Sequence, residues 1–163
     1  MLTIQQKSIY LVLLNATMIL RSIGKSLKNK EKLKQFKILT FKQIEFLAKK
    51  IDDGNLKEQH ILTSIREIVD SCNISFGQAQ KAINVLLKYH FYLNKHKDDN
   101  LKNVLDCPLD SKILKKLQIK KSLTKINEED YIEIQKIISQ QGQSKLDYDL
   151  FWDRQNLEGD GLL

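Results

Sequence analysis

Apolar residues recur at helical spacing along most of this chain, and the stretches between those runs carry caps and turn residues. Residues from about Thr3 to Ile23 predict a first helix that is apolar on much of its circumference, with IYLVLLNATMIL at its centre. The following GKSLKNKEKLKQFK reads as part helix and part solvated connection. Thr40-Phe41-Lys42-Gln43 has the form of a capping box, in which hydroxyl and amide side chains satisfy free backbone N–H groups. It opens a predicted helix with Phe41, Ile44, Phe46, Leu47 and Ile51 mostly on one side. Asp52-Asp53-Gly54-Asn55 stops that helix, with Gly54 suited to a left-handed cap.

His60-Ile61-Leu62 is long enough for a short strand. Ser64-Ile65-Arg66-Glu67 repeats the capping-box form, and Ile65, Ile68, Val69 and Cys72 follow at i, i+3, i+4, i+7. Asn73-Ile74 predicts a tight turn. Ser75-Phe76-Gly77-Gln78 is a third capping box, and its helix repeats the same spacing with Ala79, Ala82, Ile83 and Leu86. HFYLNKH and LKNVLDC are β-compatible runs around the polar tip Lys97-Asp98-Asp99-Asn100, so a β-hairpin is expected there. Pro108 closes it. Asp110 caps a basic helix to about Lys121, and Asn127 caps another to about Gln140. The end, LDYDLFWDRQNLEGDGLL, reads as extended or locally ordered.

The order of helix, strand, helix, turn, helix and hairpin is that of a winged helix-turn-helix. In that frame the helix after Ser75 has two faces. Its small residues, Ala79 and Ala82, let it cross its partner closely. Its other face offers Gly77, Gln80, Lys81, Asn84 and Lys88, where amides suit base edges and ammonium groups suit phosphates. Ser75 at the helix start adds N–H groups for a phosphate oxygen, Phe76 is placed to wedge at a groove, and Gln78 lies on the same working face. Lys95, Lys97 and Lys102 on the hairpin are placed to follow a minor groove.

Charge changes this picture by adding a partner. The 163 residues carry a formal net charge of +7. Residues 1–60 hold twelve basic against five acidic side chains, and residues 108–126 hold six against one. Residues 127–163 reverse the balance, three against nine. Two basic regions therefore flank the helix pair, as a polyanion-binding surface requires.

NISFGQAQKAINVLLKYHFY resembles the recognition-helix pattern of bacterial winged-helix repressors, with Ser75, Ala79, Ala82, Ile83 and Leu86 on that pattern and Phe91-Tyr92 starting the wing. The order of elements is similar to the MarR family, closest to its SarA-like branch. That resemblance implies a mostly α fold with a small β-hairpin wing, dimerised through N- and C-terminal helices. It implies a dimeric transcriptional regulator that binds double-stranded DNA in a sequence-specific way. In this frame residues 1–37 form a dimer interface, 38–107 the DNA-binding core, 108–141 the C-terminal helices and 142–163 an acidic tail.

Other readings stay open at this stage. One is an accessory or initiator protein of plasmid or phage replication or transfer, bound to an origin-type site. Another is a protein-interaction module without DNA binding. Tyr148, Phe151 and Trp152 in the tail suit docking on a protein partner, or packing on the chain itself. No enzyme is expected, since no Gly-rich phosphate loop and no nucleophile–base spacing occurs. No cofactor or metal is expected either: Cys72, Cys107, His60, His90 and His96 follow no zinc spacing. The Ile9–Leu20 run is shorter than the roughly 20 residues of a membrane span and no small-residue cleavage site follows it. A cytoplasmic protein in a reducing compartment, with both thiols free, is the expectation.

Overall fold

The computed structural model describes residues 2–16, 23, 25–27, 29–96 and 98–161, without the side chains of 151–153 and 156. Its helices are α1 (Ile4–Ala16), α2 (Lys30–Asp52), α3 (Glu58–Cys72), α4 (Phe76–Leu93), α5 (Asp99–Val104), α6 (Ser111–Lys116), α7 (Glu128–Ser139) and α8 (Lys145–Gly159). A 3-10 turn, Leu123–Lys125, joins α6 to α7. No strand occurs among the described residues.

The centre of the protein is α4. Ala79, Ala82, Ile83 and Leu86 are fully buried, as their spacing predicts, but so is nearly everything else on the helix. Only Lys81, Tyr89 and Tyr92 are half-buried and only Leu93 is exposed. It is surrounded by α1, α2, α3, α7 and the 3-10 turn. A helix enclosed on so many sides has to be largely apolar or internally paired; α4 follows that rule except at the Asn84 side-chain oxygen, which is buried without a hydrogen-bond partner.

The expected wing is overturned. HFYLNKH extends α4 to Leu93 because Phe91 (1% exposed) belongs to the core. The helix then ends in a Schellman turn. Lys95 is left-handed (φ 54°), Lys95 N–H donates to the Tyr92 carbonyl at 3.1 Å and His96 N–H to the Phe91 carbonyl at 3.1 Å. LKNVLDC is the short α5, capped by the Asp98 carboxylate, which accepts from Asn100 N–H at 2.9 Å, and then extended chain. Leu101, Val104 and Leu105 share helical as well as strand spacing, and short apolar runs of this kind do not discriminate. Among the described residues the fold is therefore all-helical, with neither wing nor winged helix-turn-helix. The expected C-terminal dimerisation helices are α6 and α7, which bury Ile113, Leu114, Tyr131, Ile134 and Ile138 within the same chain.

Two expected helix starts are helix interiors. α2 is capped eleven residues before Thr40, where the Asn29 side-chain oxygen accepts from Glu31 N–H at 2.7 Å. Its buried stripe runs Phe36, Thr40, Ile44, Leu47, Ala48 and Ile51, so Thr40 faces the core. Ser64 likewise sits inside α3, because Ile61 (0% exposed) continues the Ile65–Ile68 stripe upstream; this also removes the short strand expected at His60-Ile61-Leu62. Other local signals act where expected. Gly54 (φ 66°) and Asn73 (φ 51°) end α2 and α3, Ser75 caps α4, Asp110 caps α6 and Asn127 caps α7. The acidic end forms α8 rather than extended chain.

Gly77 shows how tightly the core is closed. A Cβ at this position would lie 2.0 Å from the Leu123 carbonyl oxygen and 3.0 Å from the Ile126 Cβ. The obstacle is backbone and cannot swing aside. Gly77→Ala is expected to destabilise the protein by about 3 kcal/mol, the upper part of the usual overpacking range, read as a shift in the urea midpoint. An unchanged midpoint would mean that the Leu123–Ile126 segment does not rest on α4.

Candidate functional site

The expected groove-reading face of α4 is inside the protein. Gln80 is 0% and Asn84 1% exposed. The Gln80 amide donates to the carbonyls of Gly77 and Leu109, both at 2.9 Å, and its oxygen accepts from Leu109 N–H and Asn84 Nδ2, both at 3.1 Å. Asn84 Nδ2 also donates to Tyr131 Oη at 2.8 Å. Gln78 (3% exposed) closes the Ser75 capping box and donates to Ser26 Oγ at 3.0 Å. Lys88 is 7% exposed and donates to Asp149 Oδ2 at 2.5 Å. Phe76 is buried, its ring 5.2 Å from that of Tyr131.

The start of α4 is also occupied. Ser75 Oγ accepts from Gln78 N–H at 3.2 Å, and Gly77 N–H donates to the Ile126 carbonyl at 3.2 Å. Those donors are taken up by the chain itself. Lys81 is half-buried, 4.0 Å from Asp110, and Lys102 lies 3.5 Å from both Asp99 and Asp147. Lys95 is exposed, and Lys97 lies outside the described residues.

A buried polar chain continues from Asn84 to solvent. Tyr131 Oη donates to Asp106 Oδ2 at 2.5 Å, and Lys145 Nζ donates to Asp106 Oδ1 and to Glu58 Oε1, both at 2.6 Å. Gln135 clamps the next residue, accepting from Cys107 N–H at 3.0 Å and donating to its carbonyl at 2.7 Å. A half-open cavity of about 440 Å³ borders this chain, lined among others by Glu58, Tyr131, Gln135 and Lys145. Both Asp106 oxygens are taken, and the lysine is held between two carboxylates. The arrangement ties α3, α4, α7 and α8 together rather than offering a free acid or base.

Burial raises the Asp106 carboxyl, against the pull of Lys145. Burial works against the Lys145 charge, but Asp106 and Glu58 more than offset it and hold the ammonium above the ordinary lysine value. Burial likewise pushes up the Tyr131 phenol, helped by Asp106, and the Cys107 thiol. These three groups, Lys145, Tyr131 and Cys107, keep their protons in the folded protein at a pH where the unfolded chain releases them. The folded state then binds more protons, so stability falls as pH rises. The loss starts near the ordinary thiol value of 9.0 and grows past 10.0 and 10.5, where unfolded tyrosine and lysine titrate. Each group contributes up to about 1.4 kcal/mol per pH unit. Urea midpoints between pH 8 and pH 11 are expected to fall steadily, and less steeply in Tyr131→Phe; a flat wild-type profile would contradict the network.

The tail folds onto its own body. Tyr148 is 2% exposed with the Lys116 ammonium 4.8 Å from its ring centroid, and Asp147 and Asp149 meet Lys102 and Lys88. The side chains of Phe151 and Trp152 lie outside the described residues.

Many of the lysines remain exposed. The Gln78–Ser26 bond brings Lys25 and the start of α2 to the first turn of α4. The Gly77–Ile126 bond brings the 3-10 turn and its basic approach to the same turn. Lys25, Lys30, Lys32 and Lys34 from one stretch, and Lys112, Lys115, Lys120 and Lys125 from the other, are all exposed. Among the described residues none of these is seen in an ion pair. Lys25, next to Ser26, and Lys125, next to Ile126, thus lie at the same turn of α4, each within a basic stretch of the sequence.

No helix among the described residues is long and apolar enough to cross a membrane. No protein-family model, curated protein or solved structure matches the chain.

Proposed function

We propose that the chain binds double-stranded DNA through the lysine-rich surface around the first turn of α4, and not by inserting that helix into a groove. The observation that carries this reading is the convergence of the two basic stretches, held by the Gln78–Ser26 and Gly77–Ile126 bonds. Flexible exposed ammonium groups act as point charges toward phosphates, and their binding is driven by counterion release. Base edges play a lesser part here, since the amides that suit them are consumed inside the fold.

A homodimer through α1 belongs to the same reading. Ile4 (81% exposed), Val12 (64%), Ile9 and Leu11 leave apolar surface on that helix, which a second copy would cover. A reducing compartment such as the cytoplasm suits the two buried, unlinked cysteines.

The test is retention on a fluorescent duplex across a salt series. Wild-type affinity is expected to fall steeply with salt. Replacing Lys112, Lys115, Lys120 and Lys125 with Gln is expected to flatten the log–log slope by about 0.9 for each phosphate no longer neutralised, and to weaken binding at 50–100 mM salt on the order of 100-fold. Absence of salt-dependent binding in the wild type, or an unchanged slope in the variant, would remove this reading.

A further inference from the structure

Two helix ends meet at one corner of the bundle, and both end in the same kind of turn. α2 closes with Gly54 N–H donating to the Ile51 carbonyl and Asn55 N–H to the Lys50 carbonyl, both at 2.9 Å. That leaves Asp52, its last helical residue, facing the end of α4. The Schellman turn that ends α4 folds His96 back over His90, with ring centroids 5.8 Å apart. Asp52 Oδ1 lies 3.6 Å from His90 Nε2 and 3.8 Å from His96 Nε2. The three donor atoms all lie within 4.8 Å of one another. His96 Nε2 is shut off from solvent and makes no hydrogen bond.

We propose that Asp52, His90 and His96 form a three-ligand site for a divalent transition metal, with Zn²⁺ the ion that fits best. Two imidazole nitrogens and one carboxylate oxygen form a zinc-type donor set, whereas calcium and magnesium take oxygen ligands. Metal–ligand bonds of about 2.0–2.1 Å in a tetrahedron put donor atoms roughly 3.3–3.4 Å apart. The two Asp52 separations of 3.6 and 3.8 Å need only a small contraction, and the two imidazoles, whose donor atoms lie within 4.8 Å of each other, close by up to about 1.4 Å as the His96 turn moves in. Asp52 is 56% exposed along its side chain, so the fourth position opens to water.

The outer shell fits as well. His90 is 1% exposed, and its other ring nitrogen, Nδ1, lies 2.6 Å from the buried Tyr10 Oη. With a metal on Nε2, the ring proton sits on Nδ1 and is donated to Tyr10, the outer partner that fixes a ligating imidazole. Asn94 Nδ2 lies 3.0 Å from Nδ1 and 3.2 Å from Nε2, and also donates to the His90 carbonyl at 2.9 Å. On metal binding that amide gives up both ring contacts, since Nε2 holds the ion and Nδ1 carries the proton, and it keeps the carbonyl. The bound ion would pin the ends of α2 and α4 to each other and, through Tyr10, to α1.

Full-length protein stripped with chelator and titrated with Co²⁺ and then Zn²⁺ decides the matter. One equivalent of Co²⁺ is expected to bind and give visible d–d bands without a sulfur charge-transfer band, Zn²⁺ to displace it, and Zn²⁺ to raise the melting temperature. His96→Ala and Asp52→Asn, at partly exposed positions that spare the core, are each expected to weaken binding on the order of 100-fold. His60→Ala, at a histidine outside the cluster, leaves affinity unchanged. No stoichiometric Co²⁺ binding, a sulfur band, or undiminished affinity in both ligand variants would overturn the site.

Discussion

Lys145→Met is expected to cost about 3–5 kcal/mol of folding stability, the usual penalty for leaving one member of a buried ion pair alone. Lys145 is 6% and Asp106 5% exposed. Methionine fills much of the lysine's volume, so lost packing contributes little and the effect reports the charge. Without the ammonium, the Asp106 carboxylate keeps only the Tyr131 hydroxyl, at 2.5 Å. Its escape is to take up a proton, which gives the experiment a second reading. Adding Asp106→Asn to Lys145→Met removes the stranded charge and is expected to restore part of the loss. A double-mutant cycle of urea midpoints measures that coupling. Additive effects of the two substitutions would mean that the pair does not form.

The second large effect is expected at Gln80. Its side chain makes four hydrogen bonds, two of them to Leu109, which lies 29 residues further along the chain. Gln80→Ala leaves the Leu109 N–H and carbonyl without partners in the core, frees one side of Asn84, and opens a small cavity. Each buried group left unpaired costs about 1–3 kcal/mol, so a total near 4 kcal/mol is expected in denaturant titration. An exposed base-reading glutamine would behave otherwise: its removal changes stability by less than about 0.5 kcal/mol and changes sequence preference instead. A stable Gln80→Ala protein with altered DNA selectivity would return α4 to the role that its amide-bearing face suggests.

Legibility in the sequence followed the range of the interaction. The helix pair on either side of the tight Asn73-Ile74 turn, its two apolar stripes and the caps at Ser75, Asp110 and Asn127 depend on residues within four positions of one another. Such signals survive in any fold that keeps the helix. The missed starts at Thr40 and Ser64 show the limit of that rule: a capping-box pattern is only an offer, and a stripe continuing through Phe36 or Ile61 overrides it. The wing failed for a related reason. HFYLNKH suits a strand or a helix equally, and burial of Phe91 against the core decided for helix.

The site was less legible than the fold. A Gln or Asn on a helix looks alike whether water or a distant backbone will pair with it. The partners of Gln80 and Asn84, Leu109 and Tyr131, are 29 and 47 residues away. The Asp52, His90 and His96 cluster left no spacing signature, because its donors come from two helix ends and a turn.

Composition and local pattern alone determined that this protein is mostly helical, where α2, α3 and α7 stop, which faces are apolar and where positive charge is concentrated. Those properties follow from side-chain chemistry acting over a single turn. Only the tertiary structure decided that α4 lies in the core with its amides turned inward, since that depends on five other elements closing around it. The same closure brought Lys25 and Lys125, each in a basic stretch, to one turn of α4 and three metal-type donors to one corner. Proximity between residues tens of positions apart is a property of packing, and it exists only once the chain has folded.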